Sequence, residues 1–347
     1  MKRLITVAFA AVLLLRCAAC GIQEYTAFPS GASAGLFAMD TYLNMIVYGE
    51  NAETALEQAR NRVRELESLW SVTGEHSEIY AANHSGGTAV AVSRDTANLV
   101  YFALDMARQT NGSLEPTLYP VLTAWGFTTD SFQIPARKEL DRLLERVDYT
   151  RVSLQDTTLT VPDGMQLDLG AVGKGYAADE TAAVLRESGV KSALLDFGGN
   201  ILTIGTKPDG SPWRVGVRDP DSEGNLGVLE LTGQGVSVSG GYEKYFIGED
   251  GERYWHILDP ATGAPARSDL VQTAVVSDES KRCDALSTAL FVMGRDKAVQ
   301  YWREHRDFEM ILLAEDRMIY VTEGLFDAFS LGTEQEGRDV QVIYYEA

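Results

Sequence analysis

The sequence predicts an α+β fold with mainly antiparallel sheets and flanking helices. Segments with strand-like alternation follow one another as hairpins, which is typical of antiparallel sheets. Helical patterns interrupt these hairpins without a regular strand–helix–strand repeat, and the Gly-x-Gly-x-x-Gly turn of dinucleotide-binding folds is absent from the sequence. The 347 residues are 45% apolar, which is enough to bury a large core and excludes a wholly disordered chain.

Six segments repeat their apolar residues at spacings of three and four, the period of an amphipathic helix. The clearest case is residues 52–70, where Ala55, Ala59 and Val63 follow one another at spacings of four. A second helix is predicted to end before Asn111-Gly112, because these residues readily adopt the left-handed conformation found at helix ends. In chain order the predicted helices are 52–70, 94–109, 139–147, 174–188, 283–293 and 296–306.

The predicted strands are short runs of alternating or β-branched residues separated by turn-forming residues. Gln155-Asp156 and the Phe197–Asn200 segment each separate two such runs, which predicts a hairpin at each place. In chain order the predicted strands are 38–48, 152–154, 158–161, 192–196, 201–205, 213–218, 227–231, 235–239, 310–314 and 318–322.

The charge of the chain restricts the kinds of partner it can bind. Thirty Lys and Arg residues stand against fifty Asp and Glu residues, giving a formal net charge of −20. Nucleic acid binding requires clustered Lys and Arg, so no nucleic acid partner is expected. The charge also argues against attraction to an anionic membrane surface. A phosphate-bearing ligand would need a concentrated local cation, and a bound metal ion is the obvious source.

The N-terminus has the pattern of a bacterial lipoprotein signal. Lys2 and Arg3 precede an apolar run over residues 4–15, which is shorter than the roughly 20 residues that a membrane-spanning helix needs. Small residues then lead to Cys20, whose thiol would be lipidated after cleavage before it. The alternative is an ordinary secretory signal in which this cysteine occurs by chance.

The lipoprotein interpretation divides the chain into three parts. Residues 1–19 are predicted to be the signal peptide, and residues 20–35, rich in Gly, Ser and Ala, a tether. Residues 36–347 are predicted to form the folded domain, because no long linker, low-complexity run or internal repeat occurs after residue 36. The protein is therefore expected on the extracytoplasmic face of the cell membrane, held by a lipid on Cys20.

The first segment with a chemical signal is a glycine-rich turn after an apolar strand. Asp168 is followed by Gly170, Gly173 and Gly175, and a helix is predicted to begin at about Lys174. Small residues let a ligand approach the backbone, and a helix N-terminus offers unpaired N–H groups to an anion. Lys174 opposes the helix dipole, which favours an anionic ligand at this point. The alternative is a plain strand-to-helix turn with a surface lysine.

The second signal is His256, one of four histidines in the sequence. It follows a short strand and precedes the turn-forming sequence Asp259-Pro260-Ala261-Thr262-Gly263. For an isolated histidine, a polar hairpin with a satisfied imidazole is the simpler interpretation.

The third signal is the pair Asp284 and Thr288. At positions i and i+4 of a predicted helix, both side-chain oxygens lie on one face. Hard oxygen ligands of this kind suit Mg²⁺, which takes its remaining ligands from water and substrate phosphate. The alternative is an acid near a helix N-terminus and a threonine that bonds back to a carbonyl group.

Taken together, these segments resemble the ApbE family, the FAD:protein FMN transferases. The resemblance extends from about residue 36 to residue 326 and depends on five motifs in the same order. The motifs are Asp168–Asp179, Gly198-Gly199-Asn200, Ser239–Tyr242, His256–Gly263 and Asp284–Thr288. Any one of them alone would be a weak signal, whereas the ordered set is specific.

The resemblance implies a two-lobed, T-fold-like α+β domain that binds FAD in a cleft between its lobes. It implies Mg²⁺-dependent transfer of the FMN half of FAD to a threonine hydroxyl of an acceptor flavoprotein, with release of AMP. The family's acceptors are subunits of membrane redox complexes and related exported flavoproteins. Two alternatives stay open at this point: an FAD pyrophosphatase that yields FMN and AMP, and a flavin-binding lipoprotein without catalysis.

The resemblance also assigns residues by position. Asp284, Thr288 and the carbonyl group of Ala171 would be ligands of Mg²⁺. His256 would be the first candidate for the general base, and Asp284 the second. The residues expected to line the FAD site are Met39, Ser113, Leu114, Glu115, Asp168, Lys174, His256 and Ile257. Three positions depart from the family's usual residues: Glu115 replaces an Asp, Thr73 an aromatic residue and Asp40 a Gly.

Overall fold

A computed structural model describes residues 31–129, 131–335 and 337–345. Its helices in the described ranges are α1 (Ala52–Trp70), α2 (Glu78–Asn83), α3 (Arg94–Gln109), α4 (Tyr119–Trp125), α5 (Arg137–Leu144), α6 (Gly173–Glu187), α7 (Ser280–Met293) and α8 (Arg295–His305). Short 3₁₀ helices occur at Tyr149–Arg151, Glu323–Leu325 and Thr333–Gln335.

The strands of the same ranges form one large sheet and three small ones. They are β1 (Gly31–Ala38), β2 (Thr41–Tyr48), β3 (Val90–Ala91), β4 (Ser153–Gln155), β5 (Thr158–Thr160), β6 (Ser192–Phe197), β7 (Asn200–Ile204), β8 (Trp213–Arg218), β9 (Asn225–Leu231), β10 (Gly235–Gly240), β11 (Tyr245–Ile247), β12 (Arg253–Trp255), β13 (Leu270–Ser277), β14 (Glu309–Ala314), β15 (Ile319–Thr322), β16 (Phe329–Leu331) and β17 (Val340–Ile343).

The large sheet has nine strands in the order β1-β2-β6-β7-β10-β13-β14-β15-β17. Neighbouring strands in it run antiparallel, except that β15 and β17 pair in parallel. The predicted α+β class with mainly antiparallel sheets is therefore confirmed. No helix in the described part of the chain is both long enough and apolar enough to cross a bilayer.

Each face of the large sheet packs against a different layer. On one face α1, α6 and α7 bury the largest core, which contains Leu66, Phe197 and Leu286. On the other face the three-stranded sheet β16-β9-β8 buries a second core around Leu229 and Ile311. Burying a side chain of this size contributes about 1.5–3 kcal/mol, so the two layers hold the sheet between them.

A third, smaller core joins the hairpin of β11 and β12 to α4 and α5. Val121, Trp125, Leu140 and Leu258 are buried in it. The Trp125 indole also donates a hydrogen bond of 2.7 Å to the carbonyl of Gly263, which fixes the turn that follows His256. This core therefore holds one wall of the cleft described below.

All six predicted helices are present, with ends within a few residues of the predicted ones. Strand β13 was not predicted, because it is buried on both faces and therefore lacks the alternation of a half-buried strand. Helix α7 covers one face of it and the small sheet covers the other. Helices α2 and α4 were also missed, because each is too short to show a helical period.

The N-terminal boundary of the folded part is a correction to the sequence analysis. Residues 31–35, assigned there to the tether, form the first half of β1 and pair with β2. Their small side chains have a structural reason: the Tyr42 ring lies over Gly35 and the Tyr48 ring over Gly31, where a Cβ would collide. Residues 1–30, including the predicted signal peptide and Cys20, lie outside the described residues.

The predicted strand 38–48 is interrupted by a turn. Met39 and Asp40 have φ angles of 53° and 58°, which reverse the chain between β1 and β2. A two-residue hairpin turn with both φ angles positive usually contains Gly, so neither residue signals the turn in the sequence. The consequence is a hairpin whose tip reaches the cleft.

Candidate active site

Two adjoining cavities form a cleft at the junction of the three cores. The first has a volume of about 800 Å³ and the second about 600 Å³. They share one wall, formed by Leu122, Asp168, Gly170, Lys174 and His256. Together they have room for a ligand much larger than a single nucleotide base.

The close packing of α6 against α7 places charged groups in this wall. A Cβ at Gly175 would lie 2.4 Å from the Ser280 carbonyl oxygen, so only glycine permits this approach. The Gly175 N–H donates a 2.9 Å hydrogen bond to Asp284 Oδ2. Lys174 Nζ lies 3.9 Å from Asp284 Oδ1 and donates a 3.1 Å hydrogen bond to the Gly170 carbonyl. The glycine-rich turn therefore joins the two predicted functional segments.

Helix α7, which carries Asp284 and Thr288, is capped by a residue of α6. The Asp179 carboxylate accepts 2.9 Å hydrogen bonds from the Ser280 and Lys281 N–H groups, while α7 has no side-chain cap of its own. Burial raises the pKa of Asp179 to about 6. The sequence shows Asp179 only as the end of a motif, because this cap comes from a residue 101 positions earlier in the chain.

Three serines support the side of α7 that faces the cleft. Ser239 of β10 donates a 2.9 Å hydrogen bond to Ser287, and Ser287 donates a 3.0 Å hydrogen bond to the Asp284 carbonyl. Ser239 Oγ also lies 3.4 Å from Thr288 Oγ1, and Ser237 Oγ lies 3.2 Å from Ser287 Oγ. These contacts hold the Asp284–Thr288 turn of the helix against the sheet.

The groups expected to hold Mg²⁺ fit that ion. Asp284, Thr288 and Ala171 all line the first cavity. The 3.9 Å between Lys174 Nζ and Asp284 Oδ1 is too long for a hydrogen bond, so this buried oxygen keeps lone pairs for a cation. No cluster of three His, Cys, Asp or Glu side chains with metal-binding geometry occurs among the described residues. Such a cluster is not needed where water and a phosphate supply the other ligands.

His256 is held in a defined tautomer. Its Nδ1 lies 3.1 Å from the Lys244 carbonyl oxygen, which can only accept, so Nδ1 carries the proton. Burial in the cleft wall lowers the pKa of His256 to about 4, with a further contribution from nearby Lys174 and Lys244. The imidazole is therefore neutral at pH 7, and Nε2 is its acceptor nitrogen.

Asp168 stands between the two cavities. Its Oδ1 accepts a 2.6 Å hydrogen bond from the Gly170 N–H, and its own N–H donates a 2.7 Å hydrogen bond to the Pro116 carbonyl. Burial raises the pKa of Asp168, although the Gly170 N–H and Lys174 oppose the shift. The carboxylate therefore fixes the glycine-rich turn and faces both cavities.

Glu115 has an internal structural role in addition to its place in the cleft. One carboxylate oxygen accepts hydrogen bonds from the N–H and hydroxyl groups of Thr117, and the other accepts from the Tyr149 N–H. Burial raises its pKa. Its oxygens hold the loop together, and contact between Glu115 and a ligand stays a prediction.

The structure brings together every residue that the sequence analysis assigned to the site within the described ranges. The first cavity is lined by Ser113, Leu114, Glu115, Asp168, Ala171, Lys174, His256, Ile257, Asp284 and Thr288. Met39, Asp40 and Thr73 line the second cavity. The sequence analysis missed Asn200, Arg214, Arg218 and Tyr242 as lining residues of the first cavity. Asn200 comes from the large sheet, the two arginines from a small sheet and Tyr242 from the turn after β10, so only the fold brings them together.

Fold and cleft together define the class of protein: a mixed α+β domain with an interior site where an acid, a lysine and a neutral histidine meet. The chain belongs to the ApbE family, whose model matches residues 39–312.

Relatives in sequence and in structure agree with this assignment. The FAD:protein FMN transferase of Treponema pallidum (strain Nichols) is 33% identical over 79% of this chain and 80% of its own length. A crystal structure of the ApbE protein of Thermotoga maritima superposes with a TM-score of 0.81 at 30% identity, over 86% of this chain and 99% of that one. The apo flavinyl transferase ApbE of Pseudomonas stutzeri gives a TM-score of 0.79 at 25% identity, over 89% of this chain and 99% of its own.

Proposed function

We propose that the protein transfers the FMN half of FAD to a threonine hydroxyl of an acceptor flavoprotein and releases AMP, with Mg²⁺ as cofactor. The observation that carries the proposal is the shared cleft wall. Lys174 and the neutral His256 lie in that wall, and the α6–α7 junction places Asp284 Oδ1, in the first cavity, 3.9 Å from Lys174 Nζ. The names of the relatives as FAD:protein FMN transferases support the same activity.

The reaction breaks the phosphoanhydride bond of FAD and forms a phosphate ester bond to the acceptor. The acceptor oxygen attacks the FMN phosphorus, the bond from that phosphorus to the bridging oxygen breaks, and AMP leaves with that oxygen. Bound at Asp284, Thr288 and the Ala171 carbonyl, Mg²⁺ would neutralise phosphate charge and polarise the attacked group. Lys174 at the start of α6 holds the pyrophosphate in position against the charge of an acidic protein.

His256 accepts the proton of the attacking hydroxyl. Its Nδ1–H is directed to the Lys244 carbonyl, so Nε2 is the nitrogen that can take a proton. A base with a pKa of about 4 is weak in the ligand-free cleft. Binding of the anionic pyrophosphate nearby favours the protonated form and so raises the basicity of His256 during the reaction.

The test combines the full chain, purified in detergent, with FAD and Mg²⁺, with and without a threonine-bearing acceptor flavoprotein domain. Flavin fluorescence on the acceptor in a denaturing gel and AMP in solution are both measured. We expect covalent flavin only when Mg²⁺ and the acceptor threonine are present. AMP without labelled acceptor would instead identify an FAD pyrophosphatase, and bound FAD without either product a flavin-binding protein.

A further inference from the structure

One end of the large sheet has a face that no other layer covers in the described part of the chain. The small sheet β16-β9-β8 packs over strands β7, β10, β13, β14 and β15, and its buried core contains no residue of β1, β2 or β6 among those described. Register shows which side chains share the uncovered face. Ile46 pairs with Leu194, and Asn44 with Asp196, so Tyr42, Asn44 and Ile46 lie on the same side as these two residues of β6.

This uncovered surface, here called the open face, consists of Phe37, Tyr42, Ile46 and Leu194. Phe37 is 71% exposed, Tyr42 58% and Ile46 37%. Phe37 and Tyr42 pair directly across the β1–β2 hairpin and form an aromatic pair beside its tip. Aromatic residues on a contiguous exposed surface are typical of protein interfaces.

Strand β8 borders the open face with an edge that pairs with no strand of the described residues. It is the last strand of the small sheet, so alternate backbone N–H and C=O groups point away from β9. The Trp213 ring at its start lies 6.2 Å from the Tyr48 ring of β2, which places β8 directly beside the open face. An extended peptide can pair with an edge of this kind and lay alternate side chains on the adjoining surface.

The edge and the open face both lead into the catalytic cleft. The first cavity is lined by Leu194 and Asp196 of β6 and by Arg214, Gly216 and Arg218 of β8. Asp284 and His256 line the same cavity. This part of the cavity carries both signs of charge, since Arg214 and Arg218 accompany Asp196 and Glu243. A polyanion such as FAD would be better matched by cations alone, whereas a polypeptide with mixed polar groups fits this arrangement.

A buried donor without a partner lies in the same part of the cavity. Asn200 is 3% exposed and lines the first cavity, and its Nδ2 has no hydrogen-bond partner among the described residues. A buried amide left unpaired costs about 1–3 kcal/mol, so such a group indicates a ligand that accepts its hydrogen bond. A peptide carbonyl oxygen would satisfy it.

We propose that the open face and the edge of β8 form the docking surface for the acceptor protein. An extended segment of the acceptor pairs with β8, its apolar neighbours cover Phe37, Tyr42 and Ile46, and its hydroxyl enters the first cavity towards His256. The inference rests on the proposed transfer function. It adds the surface that the acceptor uses and the conformation in which its target segment binds.

Two sets of substitutions test the surface in the full chain. Ile46→Asp and Tyr42→Ala alter the open face, and the double variant Arg214→Ala/Arg218→Ala alters the side chains of the edge strand. Each set is expected to raise the acceptor KM about tenfold or more. FAD affinity and kcat at saturating acceptor are expected to be retained in Ile46→Asp and Tyr42→Ala, which lie outside both cavities. Tyr101→Ala is the matched control, because Tyr101 is a 65% exposed tyrosine on α3, away from the cleft.

A binding measurement separates this inference from the transfer function. The acceptor domain with its target threonine replaced by valine cannot react, so its dissociation constant reports docking alone. Ile46→Asp is expected to weaken this binding, and excess acceptor peptide to compete with it. Transfer that proceeds normally in all the variants would contradict the proposed docking surface but not the proposed transfer function.

Acceptor binding that depends on Ile46, without any transfer, would contradict the transfer function but not the docking surface. Loss of FAD affinity in the arginine variant, or a dimer that Ile46→Asp dissociates, would assign the surface to another occupant.

Discussion

At the scale of single residues, His256 shows how a histidine without a distinctive sequence signal becomes a reactive group in the folded protein. The carbonyl of Lys244 fixes its tautomer, and the cleft wall holds it neutral. Neither effect can be read from the sequence, because the hydrogen bond crosses a hairpin and the burial comes from elements far along the chain. The sequence supplies the residue, and the fold supplies its chemistry.

The lowered pKa of His256 predicts a pH dependence of stability. The unfolded histidine has a pKa of 6.5 and the folded one about 4, so between these values only the unfolded chain takes up the proton. The free energy of unfolding therefore falls as the pH is lowered from 6.5 towards 4. The free energy of unfolding, measured with denaturant at about pH 7.5 and pH 5, is expected to fall less between these two pH values in His256→Gln than in wild type. His84→Gln, a histidine stacked on Tyr80, is the control, and an unchanged loss in His256→Gln would contradict the assignment.

The metal pair shows what residue spacing alone can predict. Asp284 and Thr288 are one helical turn apart, so their common face follows from the sequence once the helix is recognised. Their supporting groups, Asp179 and Ser239, could not be predicted in that role, because these contacts join α7 to another helix and to a strand.

At the scale of elements, the position of α7 depends on its contact with α6. Gly175 sets the distance between the two helices, and the Asp179 carboxylate replaces a cap that the N-terminus of α7 lacks. Since α7 carries both side-chain ligands expected for Mg²⁺, a small displacement of this helix would alter the site.

Asp179→Ala is therefore expected to reduce both the stability of the protein and its ability to use Mg²⁺ in transfer. Loss of a helix cap costs about 0.5–2 kcal/mol of unfolding free energy. The Mg²⁺ concentration needed for half-maximal transfer is expected to rise as well. Asp179→Asn keeps one acceptor oxygen, so its stability and Mg²⁺ requirement are expected to lie between those of wild type and Asp179→Ala. Glu279→Ala removes an exposed acid that pairs with Lys281 at the same helix end and serves as the control. A variant with lower stability but an unchanged Mg²⁺ titration would restrict Asp179 to a structural role.

A substitution at the hairpin tip in the cleft is expected to stabilise the protein rather than destabilise it. Asp40 has a φ of 58° in the turn between β1 and β2, a conformation that costs an L-residue about 1 kcal/mol more than glycine. Asp40→Gly is expected to raise the unfolding free energy by at most about 0.5 kcal/mol, because the larger chain entropy of glycine, about 0.4–1 kcal/mol, offsets most of that gain. Thermal unfolding measures the change, with Asp156→Gly, at another positive φ of 54°, as the comparison. A destabilised Asp40→Gly would show that the aspartate side chain holds the turn.

Elements with a clear period were predictable, and those defined by tertiary contacts were not. Helix α1 shows its period in the sequence, with Ala55, Ala59 and Val63 buried along one side. Strand β1 shows no such period, because its glycines exist to accommodate Tyr42 and Tyr48 of the next strand. Strand β13 lies between two layers and is buried on both faces, so its sequence resembles a core helix segment as much as a strand.

At the scale of the whole molecule, the cleft carries both signs of charge in a strongly acidic chain. The formal net charge is −20, and acids such as Asp168, Glu243 and Asp284 line the two cavities together with Lys174 and Lys244. An anionic ligand therefore depends on Lys174 and on a bound cation rather than on the field of the protein as a whole. The same arrangement explains why composition excluded nucleic acid without excluding a phosphate ligand.

We propose that a lipid on Cys20 holds the molecule at the extracytoplasmic face of the membrane. Expressed in a bacterial host, the wild-type chain is expected in the membrane fraction, and Cys20→Ser in the soluble envelope fraction or uncleaved. Cys17→Ser is the matched control, because Cys17 lies within the predicted signal peptide. Mass analysis of the mature N-terminus detects the lipid directly. Membrane retention of Cys20→Ser after cleavage would contradict this anchor.

The measurement that tests the central claim most directly is the intact mass of the acceptor after reaction with wild type, Asp284→Ala or Asp141→Ala. Wild type and Asp141→Ala, which removes an exposed acid paired with Arg137, are expected to add one FMN less water and to release one AMP for each acceptor labelled. Asp284→Ala is expected to lower the rate by about a hundredfold or more with its fold intact by circular dichroism. Near-normal labelling by Asp284→Ala, or AMP release by wild type without a mass gain on the acceptor, would contradict the account.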